Sequence, residues 1–262
     1  MMAAAAAVKA CNVLITGANR GLGLEMVKQL AEGSCPKRQI FAGCRDPAGP
    51  RSEKLRELAE KHPGIITIVQ LDVTNPSSIK ESVKKVAPML EKNGLNLLVN
   101  NAGVLAHGTM LSTSDQEMRD AFNTNLMGPF TVTKEYLPYL RTAAKASGTS
   151  GMSCEKAAII NISAGLGSMT QMLTLYSNFP TFSYSVSKAG LNMLTVYTST
   201  EVKNDEILCV SIHPGWVKTD MGGDKAPLEM KESVEELLRV MSGLTEKQHA
   251  GFLDYKGQTL PW

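Results

Sequence analysis

The chain has 262 residues, 43% of them hydrophobic, and a formal net charge of +2. That length and apolar content support one large α/β core, and no linker-like stretch separates two halves. A near-neutral chain without a basic stripe or polybasic run excludes nucleic acid and an anionic membrane surface as expected partners. No apolar run reaches the roughly 18 residues that predict a membrane-spanning helix, so the expected partner is a small molecule.

Residues 1–9 are small and apolar but lack a basic start, which reads as a frayed tail and not as a signal peptide. The single domain is then 10–262. Apolar runs at 12–16, 39–44, 65–71, 95–100, 157–163, 207–213 and 251–253 are rich in Val, Ile and Leu, as strands buried on both faces of a parallel sheet are. Between them, 21–32, 52–61, 76–92, 114–146, 183–203 and 228–241 carry helical periodicity. Repeated strand–helix order predicts right-handed crossovers and a doubly wound (Rossmann) α/β sheet of about seven parallel strands with helices on both faces.

The first strand runs into Thr16-Gly17-Ala18-Asn19-Arg20-Gly21-Leu22-Gly23. Glycines at 17 and 21 let the backbone turn tightly and approach a pyrophosphate, and Gly23 lets the next helix pack close to the sheet. That helix aims its free N–H groups and positive dipole end at the phosphates. The second strand ends in Cys44-Arg45 with no carboxylate at the position that would bind a ribose 2′-hydroxyl, since Asp46 follows the arginine. With Arg20 as a second cation nearby, the pattern favours NADP(H) over NAD(H).

Asn75 and Pro76 signal a helix start, and Gly94 its stop. Pro88 and Pro138 fall inside helical patterns and predict kinks or early ends. The Gly- and Ser-rich stretch 147–156 reads as an exposed insertion. Tyr184 and Lys188 stand one helical turn apart and so share a face; a cation there stabilises phenolate and draws a phenol toward duty as a proton donor. Five cysteines, at 11, 35, 44, 154 and 209, show no CxxC pair, so buried thiols in a reducing, cytoplasmic setting are expected. No His, Cys or carboxylate set has metal spacing.

The ordered set TGANRGLG, Leu71-Asp72-Val73, Asn100-Asn101-Ala102-Gly103, Asn125, Tyr184-Ser185-Val186-Ser187-Lys188 and His213-Pro214-Gly215-Trp216-Val217-Lys218-Thr219-Asp220 resembles the short-chain dehydrogenase/reductase family over almost the whole chain. The stretches GANRGLGLEMVKQL, CVSIHPGWVKTDMGG and GFLDYKGQTLPW are similar to the sniffer-like and C-factor-like carbonyl reductases within it. The resemblance implies an NADPH-dependent oxidoreductase that reduces aldehyde, ketone and quinone carbonyls. By the same likeness Tyr184 is the proton donor, Lys188 binds the nicotinamide ribose, and Asn125 holds a water of the proton relay. Gly17, Asn19, Arg20, Gly21, Leu22, Gly23 and Arg45 would bind the phosphates, while Asp72 and Val73 would border the adenine. Asn101, Ala102 and Gly103 would line the sugars, with Pro214, Gly215, Val217 and Thr219 seating the nicotinamide. A homodimer through the helices at 114–146 and 183–203 follows by analogy.

One departure stands out. The family carries a catalytic serine at the position of Ala164, and Ser163 comes one residue early, where strand alternation points it to the other face. Three readings stay open: a bulge that presents Ser163, substitution by Ser168, or a missing serine and reduced activity. Residues 165–181, with Met169, Met172, Leu173, Leu175, Tyr176 and Phe179, are expected to wall the substrate pocket, and 215–228 to form a loop opposite. His213 reads as structural and His107 as a solvated loop residue. Two alternatives to a broad carbonyl reductase are an NADP(H)-binding regulatory protein with little turnover and a narrow hydroxysteroid or pteridine oxidoreductase.

Overall fold

The computed structural model describes residues 10–33, 38–90, 92–175 and 179–262; the expected tail at 1–9, Cys35 and Tyr176 lie outside the described residues. Seven strands form one sheet: β1 (Asn12–Thr16), β2 (Gln39–Cys44), β3 (Ile66–Gln70), β4 (Leu97–Asn100), β5 (Ala158–Ile162), β6 (Leu208–His213) and β7 (Phe252–Asp254). All neighbours pair in parallel, in the order β3-β2-β1-β4-β5-β6-β7. The chain winds outward from β1 to β3, then returns to β4 beside β1. That reversal opens a crevice at the carboxyl ends of β1 and β4, where such sheets bind ligands.

Among the described residues eight α-helices cover the sheet: α1 (Gly21–Glu32), α2 (Glu53–Lys61), α3 (Pro76–Leu90), α4 (Asp115–Phe122), α5 (Gly128–Ala146), α6 (Met169–Leu175), α7 (Phe182–Val202) and α8 (Met230–Gly243). Strand side chains alternate between two apolar layers. Val13, Ile15, Ile160 and Ile162 pack with Met26, Leu55 and Leu237 on one side; Leu14, Leu98 and Ile159 pack with Ile79, Val132 and Tyr136 on the other. The doubly wound arrangement is the one the strand–helix order predicts.

At four places the structure departs from the local expectation or adds to it. The stretch 114–146 is two helices joined by one π-helical turn, Asn123–Met127. Ser114 starts α4 through a capping box with Glu117. The π turn inserts one residue into the helical count, which buries Asn125 completely. Neither proline ends its helix: α5 runs through Pro138 to Ala146 and α3 through Pro88 to Leu90, because Tyr136, Leu140 and Val86 anchor both flanks in the core. The insertion 147–156 is exposed at 147–150 and at Glu155, and the rest is not. Met152 and Cys154 enter the core, and buried Lys156 pairs with Glu206, whose carboxylate also accepts from the Gly151 amide. Finally, part of the expected pocket wall is helical, as α6.

His213 closes β6. Its Nδ1 is buried with no hydrogen-bond partner among the described residues. Burial pushes the imidazole from its ordinary 6.5 down to about 4, against an opposing pull from the Asp254 charge. Between those values the unfolded chain binds a proton that the folded chain does not, so stability falls as pH drops through that window. Replacing the imidazole (His213→Gln) should flatten this acid-side loss by up to about 3 kcal/mol. Urea unfolding from pH 7 to 4 (values on the order of the window itself) measures it; an unchanged slope means another group titrates there.

Candidate active site

The turns after β1 and β4 are stitched together at the crevice. Asn101 donates from its side-chain amide to the carbonyls of Thr16 (2.9 Å) and Gly17 (3.2 Å). The Thr16 hydroxyl accepts from the backbone of Asn101 and of Ala102, each at 3.0 Å. Two glycines are required by this closeness. Gly17 has φ +64°, and a Cβ on it would meet Ala102 Cα at 2.9 Å; a Cβ on Gly23 would meet the Gly17 carbonyl at 2.3 Å. The first turn of α1 carries no acidic residue and no side-chain cap, so its amides face the crevice with their charge uncompensated.

The remaining expected cofactor residues surround this cradle unevenly. Arg45 is exposed at the end of β2, and Asp46 turns its carboxylate onto the Gly49 amide. Arg20 pairs with Asp220 at 2.8 Å, which ties the glycine turn to the 215–228 loop. Asn19 donates to the Arg51 carbonyl. Asp72 accepts from the backbone and hydroxyl of Thr74, and Val73 is buried against Gly128. Leu22 is half-buried and packs on the core. Thr219 reaches over Gly21, while Val217 is buried and bridges to Leu228 in a short parallel pairing. Pro214 accepts from Ser233, and Gly215 adopts φ +87° against Leu228. The 215–228 loop is therefore a compact body braced on itself; Trp216 donates its indole N–H to the Gly222 carbonyl.

Tyr184 and Lys188 lie on the inner face of α7, 7% and 4% exposed. The Lys188 ammonium donates to the Ile162 carbonyl at the end of β5 (2.7 Å) and sits 5.6 Å from the Tyr184 ring centre. Burial pulls the amine down to about 8 and pushes the phenol up. The direction of the phenol's shift is thus opposite to the depression expected from its neighbour, and burial is its cause. Asn125 joins the pair across Gly103: a Cβ there would lie 3.4 Å from Asn125 Oδ1 and 3.8 Å from Lys188 Nζ. The Asn125 amide both accepts from and donates to the Val104 backbone (2.9 Å each), and donates to the Ser187 hydroxyl.

The structure bears directly on the serine question. Ala164 is extended (φ −151°, ψ 148°), so β5 ends without a bulge. Ser163 is 1% exposed and donates its hydroxyl to Asn192 Oδ1 at 2.6 Å. Ser168 is equally buried and accepts from the Gln171 amide at the start of α6. The Ser163 hydroxyl is thus committed to Asn192 on α7, while Ser168 serves as an acceptor at the start of α6. Asn192 and Ser187 went unnoticed in the sequence. Asn192 follows Lys188 by one helical turn, and that spacing was the signal available.

Exposed apolar side chains occur on both segments: Met169 and Leu173 on α6, Met221 and Trp216 in the 215–228 loop. Phe179 meets Trp216 edge-to-face at 5.2 Å. His107 is exposed. Among the described residues no group of three or more His, Cys, Asp and Glu could hold a metal, and no helix is long and apolar enough to cross a membrane.

Comparison with known proteins agrees with this geometry. The family model for short chain dehydrogenase matches residues 11–229. The NADPH-bound carbonyl reductase from chicken fatty liver superposes with a TM-score of 0.94 at 44% identity, covering 98% of this chain and 96% of that one. Carbonyl reductase Sniffer of D. melanogaster gives 0.91 at 37% identity, over 97% of this chain and all (100%) of its own. An uncharacterized oxidoreductase of Schizosaccharomyces pombe is 30% identical over 95% of this chain and 96% of its own. A cradle of glycines at the sheet reversal, a buried tyrosine–lysine pair beside it and a family match across most of the length meet in one conclusion: this chain belongs to the short chain dehydrogenase family of oxidoreductases.

Proposed function

We propose that the protein is an NADPH-dependent carbonyl reductase acting on aldehydes, ketones and quinones. The observation that carries this reading is the burial of Tyr184 and Lys188 together at the end of β5, beside Asn125 and next to the glycine cradle. The NADPH-bound relative at 44% identity supports the choice of cofactor, as does exposed Arg45 in the absence of a strand-end carboxylate.

When bound, the cofactor supplies a hydride. The chain's own residues do the rest. Tyr184 gives its proton to the carbonyl oxygen. Lys188, anchored by Ile162, keeps a cation near the phenolate left behind and offers its other N–H groups to a ribose. Asn125, fixed by Val104, holds the water through which Tyr184 regains its proton. The turn at Gly17–Gly23 binds pyrophosphate, Arg45 and Arg20 the 2′-phosphate, and the 215–228 loop seats the nicotinamide. The apolar rim receives the body of the substrate.

The protein is proposed to work in the cytosol, in keeping with the free thiols at Cys44, Cys154 and Cys209, all buried. It is also proposed to form a homodimer. Phe130 on α5 and Met193 and Tyr197 on α7 are exposed, and a second copy would cover them. A solution mass of a single chain by light scattering removes the dimer. Ala164 is the observation that favours the low-turnover binding protein, and NADPH binding without oxidation across a carbonyl panel would decide for it.

Two substitutions test the main reading. Tyr184→Phe should lower kcat by about 10² or more while leaving NADPH affinity within about twofold; retained turnover removes the proton-donor role. Arg45→Ala should weaken NADPH by about tenfold, on the order of one charge-assisted contact, with little effect on NADH. Equal losses, read by fluorescence titration, would end the cofactor assignment.

A further inference from the structure

We infer that Trp262 is a positioning residue for substrate: it holds α6 in place from the edge of the sheet and so sets how well bulky carbonyl compounds bind. The substrate part of this inference rests on the reductase reading above.

α6 is seven residues long, and none of its side chains is buried. A helix that short does not persist by itself, and most helices in proteins are stabilised by an apolar face on the core. α6 has no such seat. Its Gln171, Thr174 and Leu175 line a cavity of about 420 Å³ together with His213, Tyr255 and Leu260. Ser168 caps its start locally by accepting from the Gln171 amide. Among the described residues, its hydrogen bonds to distant parts of the chain converge on one atom. The Trp262 backbone oxygen accepts from the Thr170 amide at 3.1 Å and from the Thr170 hydroxyl at 3.0 Å.

Trp262 is itself fixed by the sheet. Its indole stacks on Phe252 of β7, a buried ring, with centroids 5.4 Å apart and planes 19° from parallel. The chain turns back between them: Leu253 bridges Thr259 in antiparallel fashion, and the Leu260 amide donates to the Phe252 carbonyl. On its other side α6 adjoins the turn next to the buried lysine. A Cβ on Gly165 would meet Gln171 Oε1 at 3.2 Å, and one on Gly167 would meet Lys188 Cβ at 2.9 Å. The Gly167 carbonyl also accepts from Asn192 on α7. α6 therefore connects the edge of the sheet to the helix of Tyr184 and Lys188, and it carries exposed Met169 and Leu173. In the reductase reading these apolar side chains meet the body of the substrate. Releasing α6 lowers the fraction of molecules with that wall in place, and the apparent affinity of a substrate that touches it falls by the same fraction. A substrate too small to reach the wall is unaffected.

The test is KM and kcat with NADPH for three vicinal diketones of rising size: 2,3-butanedione, 1-phenyl-1,2-propanedione and benzil. Trp262→Ala removes the stack on Phe252 and should raise KM for benzil by about two- to tenfold, the range of one aromatic pair, with kcat and the KM for butanedione little changed. Thr170→Val, which removes one of the two donors, should move the same way by less. Trp262→Phe keeps a ring on Phe252 and should restore the wild-type values. A second readout needs no turnover: hydrogen–deuterium exchange should quicken at 169–175 in Trp262→Ala and stay slow at β4, β5 and β6. Unchanged exchange at 169–175 overturns the inference and leaves the reductase reading standing. A KM that rises equally for all three diketones does the same, since it marks a general loss of structure. Absence of NADPH oxidation by the wild type with every diketone sinks the reductase reading, and the role in substrate binding with it.

Discussion

A lysine ammonium held in a nearly dry cleft governs the rest of the site. Lys188 is 4% exposed, has no carboxylate partner among the described residues, and has the Ile162 carbonyl as its hydrogen-bond acceptor. Taking a cation out of water costs several kcal/mol unless its donors are satisfied, and the fall of its pKa to about 8 expresses that cost. Such a group weakens the fold where it sits. It is stable only because α7 and the end of β5 are fixed well enough to keep one short bond in place, and a site that holds a perturbed cation beside a phenol is where proton chemistry is expected.

That fixing is polar. Asn100 on β4 donates to Thr133 on α5 and to Asn161 on β5; Asn161 donates to Thr195 on α7, whose hydroxyl meets Ser211 on β6 at 2.8 Å. The chain of bonds crosses three strands and two helices inside the core. Apolar packing alone would let α7 slide or rotate at little cost, because the hydrophobic effect has no direction. Hydrogen bonds between buried groups do have direction, and losing one leaves an unsatisfied partner at about 1–3 kcal/mol. The ladder therefore sets the rotation of α7, and Tyr184 and Lys188 inherit their aim from Thr195 and Asn192.

Much of this was legible in the sequence because it rests on local rules. Continuous apolar runs marked all seven strands to within two residues, and the glycine turn, Asn101 and the Tyr184–Lys188 spacing marked the crevice. What escaped depends on long-range packing. A π turn adds one residue to a helix, and a 3.6-residue period read across 114–146 cannot register it. Pro138 does not end its helix, because core contacts on both flanks outweigh one lost backbone bond. The serine content of 147–156 concealed that Met152 and Cys154 are buried. The destination of the Ser163 hydroxyl depended on Asn192, 29 positions away, to which the sequence pointed only through its one-turn spacing from Lys188.

The loop over the cradle follows the same division between strong and weak ties. Its one ion pair to the glycine turn, Arg20 with Asp220, joins side chains 51% and 81% exposed, and such pairs contribute about 0–1 kcal/mol. The bonds inside the loop are of another kind: Lys218 and Trp216 pair with Leu228 through the backbone, and Ala226 and Leu228 are buried. The loop thus keeps its own shape whether or not Arg20 holds it. A phosphate arriving at Arg20 competes with a weakly bound, well-solvated carboxylate, and taking its place leaves Val217, Thr219 and Pro214 undisturbed. Charge at the mouth is exchangeable while the wall behind it is not, a division that suits the role proposed for this loop in seating an anionic cofactor.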